Sequence, residues 1–217
     1  AIVTTGPTRE YIDPVRYISN ESSGKQGYEI AIALSKLGIT TTLIAGPTNL
    51  ISPKGLEVKK ITSADEMLSE VKKSLPVDLA VCAAAVADFK PAEKNKNKIK
   101  KESMNLKSIN FVQNNDILEY ISKNNKHRPR LVAGFSAETE NLTKNSINKL
   151  KKKHCDLIFA NDVSQKGIGF NSDFNKISVI DKKGNVKIIP KNKKSFIANK
   201  IAEILLDKLL IDDRNTN

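Results

Sequence analysis

Histidine and cysteine are scarce in this chain, with two of each, and tryptophan is absent. His127 and His154 lie apart in sequence and lack cysteine or carboxylate neighbours at ligand spacing, so no metal site built from the chain's own side chains is expected. Cys82 and Cys155 cannot make a disulfide framework. Each adjoins an apolar run that reads as strand, so buried reduced thiols are expected, with the cytoplasm as the natural compartment. No stretch approaches the roughly 20 consecutive apolar residues of a membrane helix, and no charged-then-apolar leader precedes the first strand, so no membrane partner is expected. Ala1 already lies in an apolar run, as it would in a fragment of something longer.

Several signatures are missing too. Aromatic residues make up 5% of the chain, and no basic-aromatic interleaving offers a platform for stacked bases, which weakens the reading as a nucleic-acid-binding module. Gly6 stands without the partners of G-x-G-x-x-G, and the second strand ends in AGPTN instead of an acid, which weakens an NAD(P)-dependent Rossmann-like reductase. The nucleoside-triphosphate P-loop fails on spacing, because Ser19 holds the place of its first glycine and Gln26 that of its hydroxyl residue. No G-x-S-x-G elbow occurs and neither thiol has a base within its motif, so a side-chain nucleophile is disfavoured.

What the chain does have is positive charge and alternation. Its 36 Lys and Arg against 24 Asp and Glu leave a formal charge of +12, which favours polyanions: nucleic acid, anionic lipid or phosphorylated metabolites. A length of 217 residues suits one domain with a substantial core. Apolar runs at 1–5, 40–46, 56–61, 78–85, 131–137 and 156–161 predict strands, and helical spacing predicts helices over 24–37, 64–74, 115–123 and 141–153. That rhythm predicts a Rossmann-like α/β fold, a doubly wound and mainly parallel sheet with helices on both faces. Beyond the core at 1–175, the segments KISVID, KKGN and VKIIP predict a β-hairpin over 176–192, followed by a closing amphipathic helix over 193–210.

Ligands of open α/β sheets bind beyond the carboxyl ends of the strands. After the first strand comes GPTREYIDPVRYISNESSGKQG, which reads as a long loop ending in Ser22, Ser23, Gly24 and Lys25 at the start of a helix. A helix N-terminus there would hold an anion, whereas ordinary N-capping by Ser22 or Ser23 explains the same residues. After the fourth strand, AAAVADFKPA sets alanines where a ligand approaches backbone and then Asp88, which reads equally as a cap or turn residue. KPAEKNKNKIKKES, residues 90–103, is too polar to pack and is expected to be a mobile loop, either a solvated charge run or a lid over a triphosphate. Lys149 and Lys153 share a helix face while Lys151 and Lys152 point elsewhere, and such lysines are either solvated or phosphate ligands. A positioning site of backbone, amides and lysines is what remains, with the cationic excess gathered around one cleft.

In order along the chain, GPTREYIDPVRYISNESSGKQG, AAAVADFKP, KIKK, GFSAET, DLIFANDVS and GFNSD resemble bacterial phosphopantothenoylcysteine synthetase, the ligase half of a bifunctional coenzyme A biosynthesis protein, from Gly6 to about Asp173. The resemblance implies a CTP-dependent ligation of 4′-phosphopantothenate with L-cysteine through an acyl-cytidylate. By the same likeness Asn20 holds that intermediate, Arg16 meets the substrate's phosphate or carboxylate, and Lys98 in the KIKK flap stabilises charge at the α-phosphate. Asp88, Asn115, Asp116, Ile117, Leu118, Phe135, Lys149 and Lys153 match positions lining the CTP pocket, and Ala84 and Ala85 fit close approach of ligand to backbone. The family has a proline at the Asn115 position, so only a backbone role transfers there. Asn161 and Asp162 match the AND motif without an assignable role. The resemblance further implies Mg2+ accompanying CTP, a homodimer, and a flavin-dependent decarboxylase domain fused to or associated with this one, with no FMN bound by this chain.

Overall fold

The fold, taken from a computed structural model, is described for residues 1–100, 108–164, 169 and 172–215, with side chains in the last helix described to Ile211. The first half runs β1 (Ile2–Thr5), β2 (Arg9–Asp13), β3 (Arg16–Ser19), α1 (Lys25–Lys36), β4 (Thr42–Ala45), β5 (Glu57–Lys60), α2 (Ala64–Ser74) and β6 (Leu79–Cys82). The second half runs β7 (Phe89–Pro91), β8 (Phe111–Gln113), α3 (Ile117–Ser122), β9 (Leu131–Glu138), α4 (Leu142–Lys153), β10 (Leu157–Asp162), β11 (Phe174–Asp181), β12 (Val186–Lys193) and α5 (Lys194–Asn215). Eight strands form one sheet in the order β12-β11-β10-β9-β6-β1-β4-β5. The six from β10 to β5 are parallel, while β11 and β12 pair antiparallel at one edge.

Alternation along the central strands decides which helices pack where, because successive side chains point to opposite faces. Val3, Leu43, Leu79, Val81, Leu131, Ala133, Leu157 and Phe159 join α1 and α5 in one apolar cluster. Ile2, Ile44, Ala80, Val132, Ile158 and Ala160 join α2, α3 and α4 in the other. The expected doubly wound architecture is therefore present, with the carboxy-terminal hairpin and helix where the sequence places them. Asp181 shapes the hairpin turn by accepting from the Lys183 and Asn185 N–H groups at 2.9 and 3.0 Å.

Two expected loops prove to be more ordered. The connection after β1 contains the antiparallel pair β2–β3, steadied by an edge contact between the Tyr11 and Tyr17 rings at 5.3 Å and by the Arg9 guanidinium 4.6 Å over Tyr17. Its strands carry Arg, Glu, Asp and Tyr and no apolar run, so periodicity alone does not reveal them. Of the tract 90–103, residues 101–103 lie outside the described part, as do Phe170 and Asn171 of GFNSD. The described part is docked despite its polarity: β7 pairs with β8, the Asn95 N–H donates to the Ile12 carbonyl at 3.0 Å, and the Ile99 N–H donates to the Asp13 carboxylate at 3.2 Å. Polar side chains do not prevent docking where the neighbouring hairpin satisfies the backbone groups.

Candidate active site

Chain order along the sheet reverses at β1. β4 and β5 extend one way from it, and the chain then returns to place β6 on its other side. Loops on either side of such a reversal diverge and leave a crevice. A cleft of about 690 Å3 lies there, lined by residues following β1, β6, β9 and β10.

The start of α1 forms one wall. Gly24, at φ +76°, is its N-cap, and no side chain caps the helix. This decides against N-capping by Ser22 or Ser23; the Ser22 hydroxyl instead accepts from the Gly24 N–H at 3.3 Å, one residue before the helix. The first-turn N–H groups have no partner within the helix, and Lys25, Gln26 and Gly27 line the cleft beside them. Gly27 lets α1 sit directly on β1, since a Cβ there would stand 2.3 Å from Thr5 Oγ1. Thr5 Oγ1 also donates to the Gly24 carbonyl at 2.7 Å, fixing the bend to the strand below it.

The segment after β6 forms the floor. The Ala85 N–H donates to the Gly6 carbonyl at 2.9 Å, and the Ala85 carbonyl accepts from Asn20 Nδ2 at 2.9 Å. The Asn20 amide is thereby oriented, with its oxygen left as acceptor. Ala84, Ala85 and Asp88 line the cleft. Cys82 lines it too, but burial pushes both its thiol and that of Cys155 up to about 12, which leaves them protonated and non-nucleophilic. Both cysteines are free thiols.

On the opposite wall stand α3 and α4, and Asn115, Asp116, Ile117, Leu118, Phe135, Lys149 and Lys153 all reach the cleft. Asp116 caps α3 by accepting from the Glu119 N–H at 2.7 Å. The Lys153 amine contacts Asp116 at 2.7 Å and Glu119 at 2.9 Å. Burial pulls the Lys153 pKa down, but those two carboxylates outweigh it and leave it raised. Lys123 and then Lys153 hold Glu119 down to about 2. Lys149 donates to the Phe135 carbonyl at 2.8 Å, and the Phe135 ring packs on Phe159 at 5.3 Å. Lys152, expected to point elsewhere, also lines the cleft. At i+3 from Lys149 it shares that helix face.

Arg16 and Lys98 are not among the described residues lining the cleft. The Arg16 side chain instead grips Asp13, whose carboxylate is sealed from solvent, and donates to the Ile99 carbonyl at 2.9 Å. The Arg16 guanidinium holds the Asp13 pKa far below its ordinary value. Lys98, exposed, precedes the residue that this pair clamps. Asp162 sits outside the lining and accepts from the Ser164 N–H at 3.0 Å as a turn residue, while Asn161 lines the cleft. The cationic excess is only partly gathered: five lysines, Lys25, Lys149, Lys152, Lys153 and Lys194, line the cleft, against 36 basic residues in the chain.

Sequence reasoning missed Lys194, Gln26, Asn175 and Asn114, all in the cleft. Each comes from a segment remote from the recognised motifs or from a position without charge. Asn114 and Asn161 are 8% and 7% exposed, and each has an Oδ1 atom with no hydrogen-bond partner.

Fold and cleft together define a Rossmann-like α/β protein with its cleft at the topological switch point. The chain belongs to the DNA/pantothenate metabolism flavoprotein C-terminal domain family, whose model matches residues 1–209. It is 43% identical over 204 residues to the coenzyme A biosynthesis bifunctional protein CoaBC of Haemophilus influenzae, covering 94% of this chain and 50% of that protein. Against the protein of the same name from Borreliella burgdorferi it is 41% identical over 206 residues, covering 94% and 51%. The chain thus spans about half the length of these relatives. The crystal structure of the C-terminal domain of CoaBC matches it with a TM-score of 0.80 at 32% identity, covering 98% of this chain and 95% of that one.

Proposed function

We propose that this chain joins 4′-phosphopantothenate to L-cysteine at the expense of CTP, through an acyl-cytidylate. One observation carries the reading: a helix N-terminus capped by no side chain, an oriented Asn20 amide and the lysines of α4 converge on one cleft. Its membership of a family whose relatives are coenzyme A biosynthesis proteins supports the same assignment.

The chemistry asks for such a site. A carboxylate oxygen attacks the α-phosphorus, the α–β P–O bond breaks, and its electron pair leaves on pyrophosphate. The amine of cysteine then attacks the acyl carbonyl, and CMP leaves. Two anions must meet in the first step, so fixed dipoles and cations that are already in place lower the barrier most. The α1 N-terminus and Lys25 receive phosphates, Lys149 and Lys153 meet the nucleotide from α4, and Phe135 offers an apolar face to the base. Ala84 and Ala85 allow the ligand onto the backbone, with Asn115, Asp116, Ile117 and Leu118 walling the nucleoside and Asp88 at the mouth. The Asn20 oxygen accepts from the incoming amine. Lys98 acts from the loop that Asp13 and Arg16 hold, stabilising charge at the α-phosphorus when that loop closes, and Arg16 serves as its anchor.

Magnesium fits as a companion of the nucleotide. Among the described residues no group of three His, Cys, Asp or Glu gathers to hold a metal, and Mg2+ in phosphoryl sites takes one or two carboxylates plus substrate phosphates. Asp88, exposed at the cleft, is one carboxylate available for it. We extend the proposal to a homodimer, supported by the exposed apolar side chains of Val15, in the turn between β2 and β3, and Phe89, on β7, each 56% exposed. A flavin-dependent decarboxylase partner, carrying the FMN, completes it.

Pyrophosphate release with 4′-phosphopantothenate and each common nucleoside triphosphate, with and without cysteine, tests the assignment. CTP is expected to be preferred. Asn20→Asp is expected to keep part of the pyrophosphate formation and to impair amide formation; both half-reactions surviving untouched would remove the role given to Asn20.

A further inference from the structure

Asn114 continues the β7–β8 ladder into the cleft. Gln113 stands opposite Phe89, and one residue further on the Asn114 N–H donates to the Asp88 carbonyl at 2.8 Å. The side chain reaches the preceding residue, Nδ2 donating to the Ala87 carbonyl at 2.8 Å. That bond fixes which way the carboxamide points, because turning it over would set Oδ1 against the Ala87 oxygen. Oδ1 is left with no hydrogen-bond partner among the described residues, in a residue only 8% exposed.

Bracing of Ala87 explains the nitrogen and not the oxygen. A buried acceptor without a donor is uncommon and costly. Asn114, its partners Ala87 and Asp88, and the residues from Asn115 to Leu118 all line the cleft, at the end where the proposed reaction puts the nucleoside. The oxygen is neutral and can only accept, so it suits an uncharged N–H or O–H group and not a phosphate. Pyrimidine bases differ in this respect at their 4-position, where cytosine carries an amine that donates and uracil a carbonyl oxygen that accepts. Against a fixed acceptor the first makes a hydrogen bond, and the second brings two oxygens face to face. The carboxamide cannot turn to offer its nitrogen without giving up Ala87.

We infer that Asn114 Oδ1 accepts from the exocyclic amine of the nucleobase, so that Asn114 separates cytidine from uridine nucleotides. This rests on the proposed ligase reading for the presence of a nucleoside triphosphate, and a binding measurement that needs no turnover tests it apart from that reading. A small change in the base then has a large effect, since the wrong one leaves a buried polar group unpaired.

Titration calorimetry of the folded chain with CTP, UTP and the triphosphate of pyrimidin-2-one riboside, which carries only hydrogen at the 4-position, supplies the test. CTP is expected to bind about tenfold or more tighter than UTP, with the pyrimidin-2-one nucleotide between them. Asn114→Leu keeps the volume and removes the amide, and should bring CTP and UTP to within about threefold of each other. Loss of the brace on Ala87 weakens both nucleotides alike, so their ratio isolates Oδ1. Equal binding of CTP and UTP by the wild type, pyrimidin-2-one binding equal to that of CTP, or an unchanged ratio in the folded variant overturns the inference. So does a variant that loses discrimination between CTP and 2′-deoxy-CTP instead, which would put Oδ1 on the ribose. Should Asn114→Leu fail to fold, Asn114→Gln decides: it keeps an amide but moves the oxygen by one methylene, and is expected to narrow the ratio by about threefold, with no narrowing counting against Asn114. Selectivity for CTP that depends on Asn114, without pyrophosphate release in the presence of 4′-phosphopantothenate, would sink the ligase reading alone.

Discussion

The two walls of the cleft handle charge differently. On the α3/α4 wall, Lys153 is already matched to Asp116 and Glu119, Glu119 also holds Lys123, and Lys149 rests on a backbone carbonyl. On the α1/α5 wall, Lys25 and Lys194 share Asp173, and the uncapped end of α1 adds partial positive charge. The lysines of the first wall are held by two carboxylates and a backbone carbonyl, while the second wall sets two lysines beside the start of a helix. A ligand with a neutral nucleoside part and a polyanionic tail finds a complementary surface on each side. Net charge of the whole chain did not announce this, because most of the described basic residues lie outside the cleft.

The comparison breaks most completely if α1 is lifted from β1. Gly27→Ala places a Cβ 2.3 Å from Thr5 Oγ1 and 2.5 Å from Thr5 Cβ. Relief requires the helix start to move, at a cost of about 2–3 kcal/mol. We expect a fall in melting temperature of about 5–10 °C and loss of pyrophosphate binding, with the α4 wall unaffected. A variant that melts and binds like the wild type would show that α1 does not form the anion wall.

Next in size is the clamp on the loop carrying Lys98. Asp13→Asn keeps the side chain's shape but removes the charge that holds Arg16 and weakens the grip on the Ile99 N–H. Limited trypsin digestion should then cut after Lys98 and Lys100 several times faster, while the pyrophosphate affinity of the α1/α5 wall stays as it was. Equal cutting rates would mean the loop is held by other contacts, such as the bond from the Asn95 N–H to Ile12.

How far these features could be read in advance depended on what each relies on. Val3, Ile44, Ala80 and Ile158 belong to strands whose run of apolar residues is set by burial on both faces, so the sheet and its helices were legible. β2 and β3 lie outside that sheet and carry polar residues, and their pairing depends on ring contacts that composition hides. Within the site, Ser22 to Lys25, Asn20 and Lys149 stood in recognisable stretches. Lys194 did not: it opens a carboxy-terminal helix and reads as one more basic residue until α1 and α5 are packed together through Gln26. Arg16 was legible as a charged residue before Asn20, but its partner Asp13 faces it only because β2 turns back on β3. Lys152 was misassigned by treating only i+4 as a shared face.

A smaller effect sharpens the α3/α4 side. Glu119→Gln removes one of the two carboxylates on Lys153. The released positive charge should tighten CTP binding by about threefold at low ionic strength, and the gain should fade with added salt. No gain would indicate that Lys153 faces the nucleoside and not its phosphates.

The smallest expected effect is thermal and belongs to the other wall. Lys194 has its pKa lowered from 10.5 to about 8 by burial and by Lys25, with Asp173 acting in the opposite sense. Below about 8 the amine is charged in both folded and unfolded chains, and the folded state bears the full cost of burying it. Between about 8 and 10.5 the unfolded chain still binds the proton that the folded one has released, so Lys194 makes stability rise with pH there. The contribution is bounded by about 1.4 kcal/mol per pH unit and is reduced by relaxation around the amine. Other lysines titrate in the same range, so the useful quantity is the difference in melting temperature between the wild type and Lys194→Met. As pH rises through that window the wild type should gain on the variant by about 2–4 °C. A difference that is flat with pH would mean that the buried amine keeps its proton throughout.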